Sequence, residues 1–595
     1  MNYKEDLFDN ETANSAAASP AATEDERAEQ RLAWFREARL GLFVHWGLYS
    51  GPAGIWNGEE VKASYAEHLQ LKAGIPVKEY EKLADRFHPV KFDAKAWART
   101  AKEAGLNYLI FTAKHHDGFA MYDSRVSPYN IVQGTPFARD PLKELAQACR
   151  EEGIRLCIYY SHAMDWHHPD SQGNTLDYPQ NIGAYDPVEA WIGDDDKRTR
   201  FERYLNEKAF PQLTELLTEY GDIGILWFDC GHKLTREQGE RFVAHVRSLQ
   251  PDCLVNRRVW QDPLGDYGNT SDNQPHVRVT RRDWESIITL NDSWGYKKTD
   301  NNWKSPEEVL RQMIDVVSLN GNFVINIGPT GEGEIDAMSA SILRRIGDWL
   351  KENGESIYGA GRSPLPKPPW GRCTAKGNTL YAHVFDEPAS GELVIPGLTN
   401  RVRAVYALAD PQRRPLAHER ISEQDLRISL AALLKEPKRL PYVVAIECED
   451  SVEGSSLPLL FERDFDTVFG AFDGEIRGAA LRYDTGKRGR DNVTNWTQQG
   501  DELRWRFRAA APGTFGVIAV YGCAPEQAGS RFSVTAADHT LQGEVQATEG
   551  DYDFHPFRLG EIAIPGPGEY EVCVRGDRIA REMLMNLKEL RLFPV

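Results

Sequence analysis

The sequence predicts an α/β fold: a (β/α)8-like barrel followed by two β-sandwich domains. Three observations carry that prediction. From about residue 33 to about residue 360, short apolar runs alternate with amphipathic helices, as strands buried on both faces of a parallel sheet do. Beyond Gly361 proline and glycine rise, and strand-like segments follow one another closely, as in a sandwich. The length, 595 residues, exceeds what one hydrophobic core usually holds. An open doubly wound sheet is the rival, but no G-x-G-x-x-G follows the first strand.

Taken in order, residues 1–30 are polar, rich in Ala, Ser and Glu, and read as a disordered or extended tail. They lack the cationic start and apolar stretch of a secretory leader. The protein is therefore expected to be cytoplasmic as written, or extracellular or periplasmic if a leader was trimmed. The barrel is expected over 31–362. Its strand runs are GLFVHWG from Gly41, YLIFTAK from Tyr108, RLCIYYS from Arg155, ILWFDC from Ile225, CLVNRR from Cys253 and FVINIGP from Phe323. A seventh, less regular, lies near Trp284–Thr289. One helix, Ala94–Ala104, aligns Trp97, Ala101 and Ala104 on one stripe. Another opens at Ser305-Pro306-Glu307-Glu308, where a capping box sets Ser at N-cap, Pro at N1 and Glu at N3. A β-sandwich is expected over 363–448, with strands such as TLYAHVF from Thr379 and PYVVAIEC from Pro441. Residues 449–465 read as a linker to a jelly-roll, carbohydrate-binding-module-like sandwich over 466–595. There Glu502–Ala509 alternates, with Leu503, Trp505 and Phe507 inward and Arg504, Arg506 and Arg508 outward.

Composition narrows the function. Hydrophobic residues make up 41% and charged residues 27%, ordinary for a globular protein. Lys and Arg number 70 against 89 Asp and Glu, a net charge of −19. So acidic a surface repels phosphate backbones and anionic lipid, which argues against nucleic-acid and membrane partners. No apolar run is long enough to span a bilayer. The eight cysteines form no C-x-x-C pair and read as small buried hydrophobes. Fifteen Trp and 23 Tyr suit large cores, and also suit clefts where aromatic faces meet sugar rings.

In a parallel barrel the chemistry sits at the carboxyl ends of the strands. Here run after run ends in polar residues: His45-Trp46, Lys114-His115-His116-Asp117, Tyr159-Tyr160 and then Asp165-Trp166-His167-His168, Trp227 with Asp229, and Asn256-Arg257-Arg258; Glu285 lies in the seventh. Any one of these alone is more often a cap or a surface group. Their convergence on one rim reads as a site. Adjacent histidines on a strand point to opposite faces, and no H-E-x-x-H occurs, so neither a metal nor another cofactor is expected. The absence of G-x-x-x-x-G-K-[ST] and of G-x-S-x-G disfavours NTP hydrolysis and an α/β-hydrolase. What remains is a carboxylate pair in an aromatic, His-rich pocket, as glycosidases have. Asp229, fixed by its strand and near cations, suits the nucleophile. Glu285, beside Trp284, is the candidate for the protonated partner.

The barrel region resembles the α-L-fucosidases of glycoside hydrolase family 29. The likeness rests on WFREARLGLFVHWGLYSGPAG from Trp34, YLIFTAKHHDGFAMYDS from Tyr108, the Tyr-Tyr-Ser and Asp-Trp-His-His of the third run, GILWFDC from Gly224, DWESIITLNDSWGY from Asp283 and NGNFVINIGPTGEGEI from Asn320. It implies an exo-acting retaining hydrolase whose nucleophile falls on Asp229. The implied fucose contacts are His45, Glu67, His115, His116, Tyr160, Trp227 and Arg258. Glu285 is the best match for the acid/base, with Glu67 or Glu332 next. The family often has Glu-Trp where this chain has Glu67-His68, which alters one pocket wall. The segment around Glu285 looks like the broad-specificity branch. The implied partner is a fucosylated oligosaccharide or glycoconjugate, with homo-oligomerisation left open. A non-catalytic fucose lectin on a decayed barrel and a barrel hydrolase for α-L-galactosides are the competing functions.

Overall fold

The computed structural model describes residues 24–62, 65–261, 263–270, 272–274, 282–434, 441–486 and 489–595. Of the expected tail, residues 1–23 lie outside the described residues. From Glu24 the chain is helical, α1 (Glu24–Ala38), so 24–30 belong to a helix rather than to a tail. The cause is the apolar set that follows, Leu32, Phe35 and Ala38, which joins the barrel-interior cluster with Tyr108 and Tyr267.

Eight parallel strands form one sheet. They are β1 (Leu40–Val44), β2 (Tyr108–Lys114), β3 (Arg155–Tyr160), β4 (Ile225–Phe228), β5 (Leu254–Val255), β6 (Gly268–Asn269), β7 (Trp284–Thr289) and β8 (Gly321–Ile327). Their spatial order is β5-β4-β3-β2-β1-β8-β7-β6. A parallel bridge between Asn256 and Tyr267 joins the two end strands and curls the sheet round on itself. Seven strands match the apolar runs. The eighth, β6, is two residues long and carries no apolar run, so only its pairing to Trp284 and Glu285 reveals it.

Parity along each strand decides what the barrel encloses. Phe43, Tyr108, Ile110, Cys157, Tyr159, Ile225, Trp227, Leu254, Ile287 and Val324 point inward and form one buried cluster. Helices pack outside. Ala94–Glu103 is capped by Asp93, whose side chain accepts from Ala96 N–H. Pro306–Ser318 is capped by Ser305, which accepts from Glu308 N–H at 3.1 Å, and buries Val309, Leu310, Met313, Ile314 and Val317 as its pattern requires. No helix among the described residues is long and apolar enough to cross a membrane.

Residues 360–595 form a second compact unit. A five-stranded sheet (Gly361–Arg362, Gly371–Lys376, Thr379–Val384, Tyr442–Cys448, Val402–Ala407) and a three-stranded sheet (Glu392–Pro396, Asp425–Ser429, His418–Arg420) contribute to one core. A six-stranded and a five-stranded sheet enclose the next, in which Trp496, Leu503, Trp505 and Phe507 are buried. The stretch 449–465, expected to be a linker, is packed instead. Leu459 and Phe461 enter the first core and Leu460 the second, because strand parity sends alternate side chains opposite ways. Arg508, expected to face outward, is also buried. Its guanidinium donates to both oxygens of fully buried Asp425, with Nη1 2.7 Å from Oδ2. The pair ties the two sandwiches together.

Candidate active site

Asp229 follows β4 at the carboxyl end of the barrel. Oδ2 accepts from the Tyr159 hydroxyl at 3.0 Å. Oδ1 accepts from Arg258 Nη1 at 3.1 Å and from Cys230 N–H at 2.9 Å. Burial alone would push this carboxyl up; Arg258, helped by His116 and the Tyr159 hydroxyl, outweighs it and holds the group at about 2, ionised at any working pH. Arg258 lies over the Trp227 ring, 4.9 Å from its centroid. Its other terminal nitrogen, Nη2, donates to Asp272 Oδ1 at 2.5 Å. One guanidinium therefore spans two carboxylates, of which Asp272 is the solvent-facing one with 46% of its side chain exposed.

The histidines are neutral, and their tautomers follow from their neighbours. Asn326 donates its amide to Trp294 C=O at 2.8 Å, so its oxygen accepts from His45 Nδ1–H at 2.6 Å. Ser161 donates to Met164 C=O at 2.9 Å, so its oxygen accepts from His116 Nδ1–H at 2.6 Å. In both rings Nε2 is left as an acceptor. Burial pushes His45 down to about 4, His116 to about 3 and His115 well below the ordinary range. His115 stacks on Tyr159, centroids 5.2 Å apart, and its buried Nδ1 has no hydrogen-bond partner among the described residues. These are groups suited to hydroxyls. Glu67 accepts from Gly295 N–H at 3.0 Å, and burial pushes it up to about 7. A Cβ on Gly295 would sit 2.8 Å from the Tyr49 ring, so glycine is what lets this backbone reach Glu67. His68 lies with its ring 5.8 Å from those of His116 and Trp166, forming the altered wall.

The structure thus brings together His45, Glu67, His115, His116, Trp227, Asp229 and Arg258. Two expectations need correction. Tyr160 faces away from the lumen: its hydroxyl donates to Gln212 at 2.8 Å and Lys114 Nζ lies over its ring. Tyr159, one position earlier, is the inward residue. Glu285 does not face Asp229. It is the second residue of β7, fully buried at the amino end of the barrel, with donors on both oxygens. Trp227 Nε1 lies 2.9 Å from Oε1 and the Tyr108 hydroxyl 3.1 Å from Oε2. It supports the underside of Trp227, whose face carries Arg258. Asp272 had no signal in the sequence pattern; Tyr159 was legible from strand parity.

Burial pushes Glu285 up to about 7 from an ordinary 4.5. Between those values the folded protein keeps a proton that the unfolded chain has released, so stability falls as pH rises through the window; Glu67 adds the same sign. Glutamine cannot ionise. Glu285→Gln should therefore lose roughly 2–3 kcal/mol less stability than the wild type between about pH 5 and pH 8. Denaturant unfolding at both pH values measures this, and equal losses would show that the buried carboxyl holds no extra proton.

A parallel barrel with paired carboxylates, aromatic walls and neutral acceptor histidines at its carboxyl rim defines a glycoside hydrolase. The α-L-fucosidase family model matches residues 7–355, and the chain belongs to that family, glycoside hydrolase family 29, whose members are retaining enzymes. It is 28% identical to the human plasma α-L-fucosidase over 409 residues, 64% of this chain and 82% of that one. The structure of an α-L-fucosidase from Vibrio sp. strain EJY3 superposes with TM-score 0.77 at 28% identity, covering 95% of this chain and 98% of that one. An α-L-fucosidase of Bacteroides thetaiotaomicron, trapped as a covalent intermediate with 2-fluoro-fucosyl fluoride, superposes with TM-score 0.63 at 30% identity over 72% and 98%.

Proposed function

We propose that the enzyme is exo-acting and releases terminal α-L-fucose from fucosylated glycans or glycoconjugates by double displacement. The observation that carries this reading is the Asp229–Arg258–Asp272 bridge beneath a ring of acceptor histidines. In the first step Asp229 attacks C1 as the bond to the leaving oxygen breaks, and Asp272 gives that oxygen its proton. In the second Asp272 takes a proton from water, which attacks C1 and frees Asp229. Arg258 touches both carboxylates and is placed to answer negative charge on either. Asp272 is favoured over Glu67 and Glu285 because the remainder of a glycan must leave the pocket on the solvent side, where Asp272 is exposed and the two glutamates are buried. The covalent intermediate of the Bacteroides relative supports a covalent route.

The test is a panel of fucosylated oligosaccharides and aryl glycosides, with proton NMR reading the anomer first released. Release of α-L-fucose supports the proposal. Initial release of the β anomer overturns retention. Binding without release favours the lectin reading, and faster turnover of α-L-galactosides favours the other hydrolase.

A further inference from the structure

Cys230 directly follows the carboxylate at the centre of the site and is unusual in three respects. The other seven cysteines are buried, whereas Cys230 is part exposed. Its φ of +59° is a conformation that glycine adopts freely and other residues adopt at a cost. Its sulfur lies 4.0 Å from His116 Nε2.

The His116 tautomer sharpens this. With Nδ1–H committed to Ser161, Nε2 offers a lone pair towards Asp229 Oδ2, 3.6 Å away. Oδ2 also accepts from the Tyr159 hydroxyl and the Cys230 thiol lies against Nε2, so nitrogen, oxygen and sulfur lone pairs converge at this point. Among the described residues, His116, Asp229 and Cys230 are the trio whose N, O and S ligand atoms lie within 4.8 Å of one another. A tetrahedral zinc ion has about 2.0–2.3 Å to such ligands, so Nε2, 3.6 Å from Oδ2 and 4.0 Å from the sulfur, and its partners must draw in by a few tenths of an ångström to close on one. Ser161 does for His116 what outer partners do for metal-bound histidines: it fixes ring orientation and tautomer. Arg258, on the far oxygen of Asp229, opposes a cation and makes the site one for reversible capture.

We infer that His116, Asp229 and Cys230 form a binding site for a thiophilic divalent cation such as Zn2+, and that occupancy blocks the enzyme. Coordination releases the Cys230 thiol proton to solvent and involves no redox change. His116 enters neutral and Asp229 as its carboxylate, leaving a fourth position open to water. The metal is a competitor of substrate and has no part in turnover. That inhibition is competitive rests on Asp229 acting as nucleophile; the binding itself does not.

The test uses the full chain with Zn2+ or Cd2+ alone. Cd2+ titration should produce thiolate-to-metal ultraviolet absorption that is missing from Cys230→Gly, a substitution that also relieves the backbone at this position; Cys230→Ala serves as a second variant. Zn2+ should inhibit hydrolysis of an aryl α-L-fucoside competitively and reversibly with a chelator. Normalised to each protein's own metal-free rate, removing the thiol should raise the half-inhibiting Zn2+ concentration by more than the roughly 10-fold that loss of an outer-shell partner costs at minimum. Unchanged Zn2+ sensitivity in both variants, or Cd2+ absorption that persists without Cys230, overturns the assignment. Metal binding with no loss of activity would overturn the inhibitory role. Failure to release fucose in the absence of metal bears on the proposed function and leaves the spectroscopic test intact.

Discussion

Asp229→Ala should lower turnover of fucosides by about 10⁴-fold or more while leaving the barrel folded. The loss is large because the side chain is asked to form the bond to C1, and among the described residues no other carboxylate touches Tyr159 or stands between Arg258 and His116. The fold should survive because the ionised group is held in place by a local balance, Arg258 against burial, and Arg258 keeps Asp272 when Asp229 is gone. Azide separates this role from mere positioning. In a pocket emptied at position 229, azide can attack an activated α-fucosyl donor directly and yield the inverted β-fucosyl azide. A variant lacking only the acid/base still builds the glycosyl-enzyme, and azide then attacks that intermediate to yield the retained α product. The anomer of the azide therefore reports which half of the machinery was removed. Near-wild-type rates in Asp229→Ala, or an α product from it, would sink the assignment.

Much of this was legible in the sequence. The apolar runs revealed seven of the eight barrel strands, because strands buried on both faces need uninterrupted apolar sequence. β6 escaped because Gly268–Asn269 is too short and too polar to carry a pattern. The rim histidines, Asp229 and Arg258 were legible because each sits at or just after a strand end. Period-2 alternation from Cys157 makes Tyr159, and not Tyr160, the inward residue. Glu285 departs from the expected rim position for a geometric reason. It stands four residues before the end of β7, about 13 Å along a strand, so its own strand carries it away from the rim. Asp272 was invisible, because its relation to Asp229 runs through the two ends of Arg258 and exists only in three dimensions. Outside the barrel, Arg508 obeyed its alternation but met Asp425 where water was expected.

The comparison of Asp272 with Glu285 is where the two readings of the acid/base part most widely. Asp272→Ala should lose roughly 10²–10⁴-fold on natural glycans, the contribution of a positioned general acid. It should lose far less in the first step on aryl fucosides, whose leaving groups need no proton, and azide should restore its turnover with retention. Glu285→Gln should behave otherwise. Glutamine still offers an oxygen to Trp227 Nε1, at 2.9 Å in the native site, so the ring that carries Arg258 stays supported. Its effect should fall on natural and aryl substrates alike, since it acts on the pocket and not on the leaving group, and azide should not rescue it. Glu285→Ala, which withdraws the support, should weaken binding of both substrate classes in proportion. Leaving-group dependence and azide rescue in Glu285→Gln, with neither in Asp272→Ala, would return the acid/base role to Glu285 and would require β7 to present its amino end to the substrate. The buried carboxyl with two satisfied oxygens argues against that, because a proton delivered from there would have to pass the indole of Trp227 to reach a glycosidic bond.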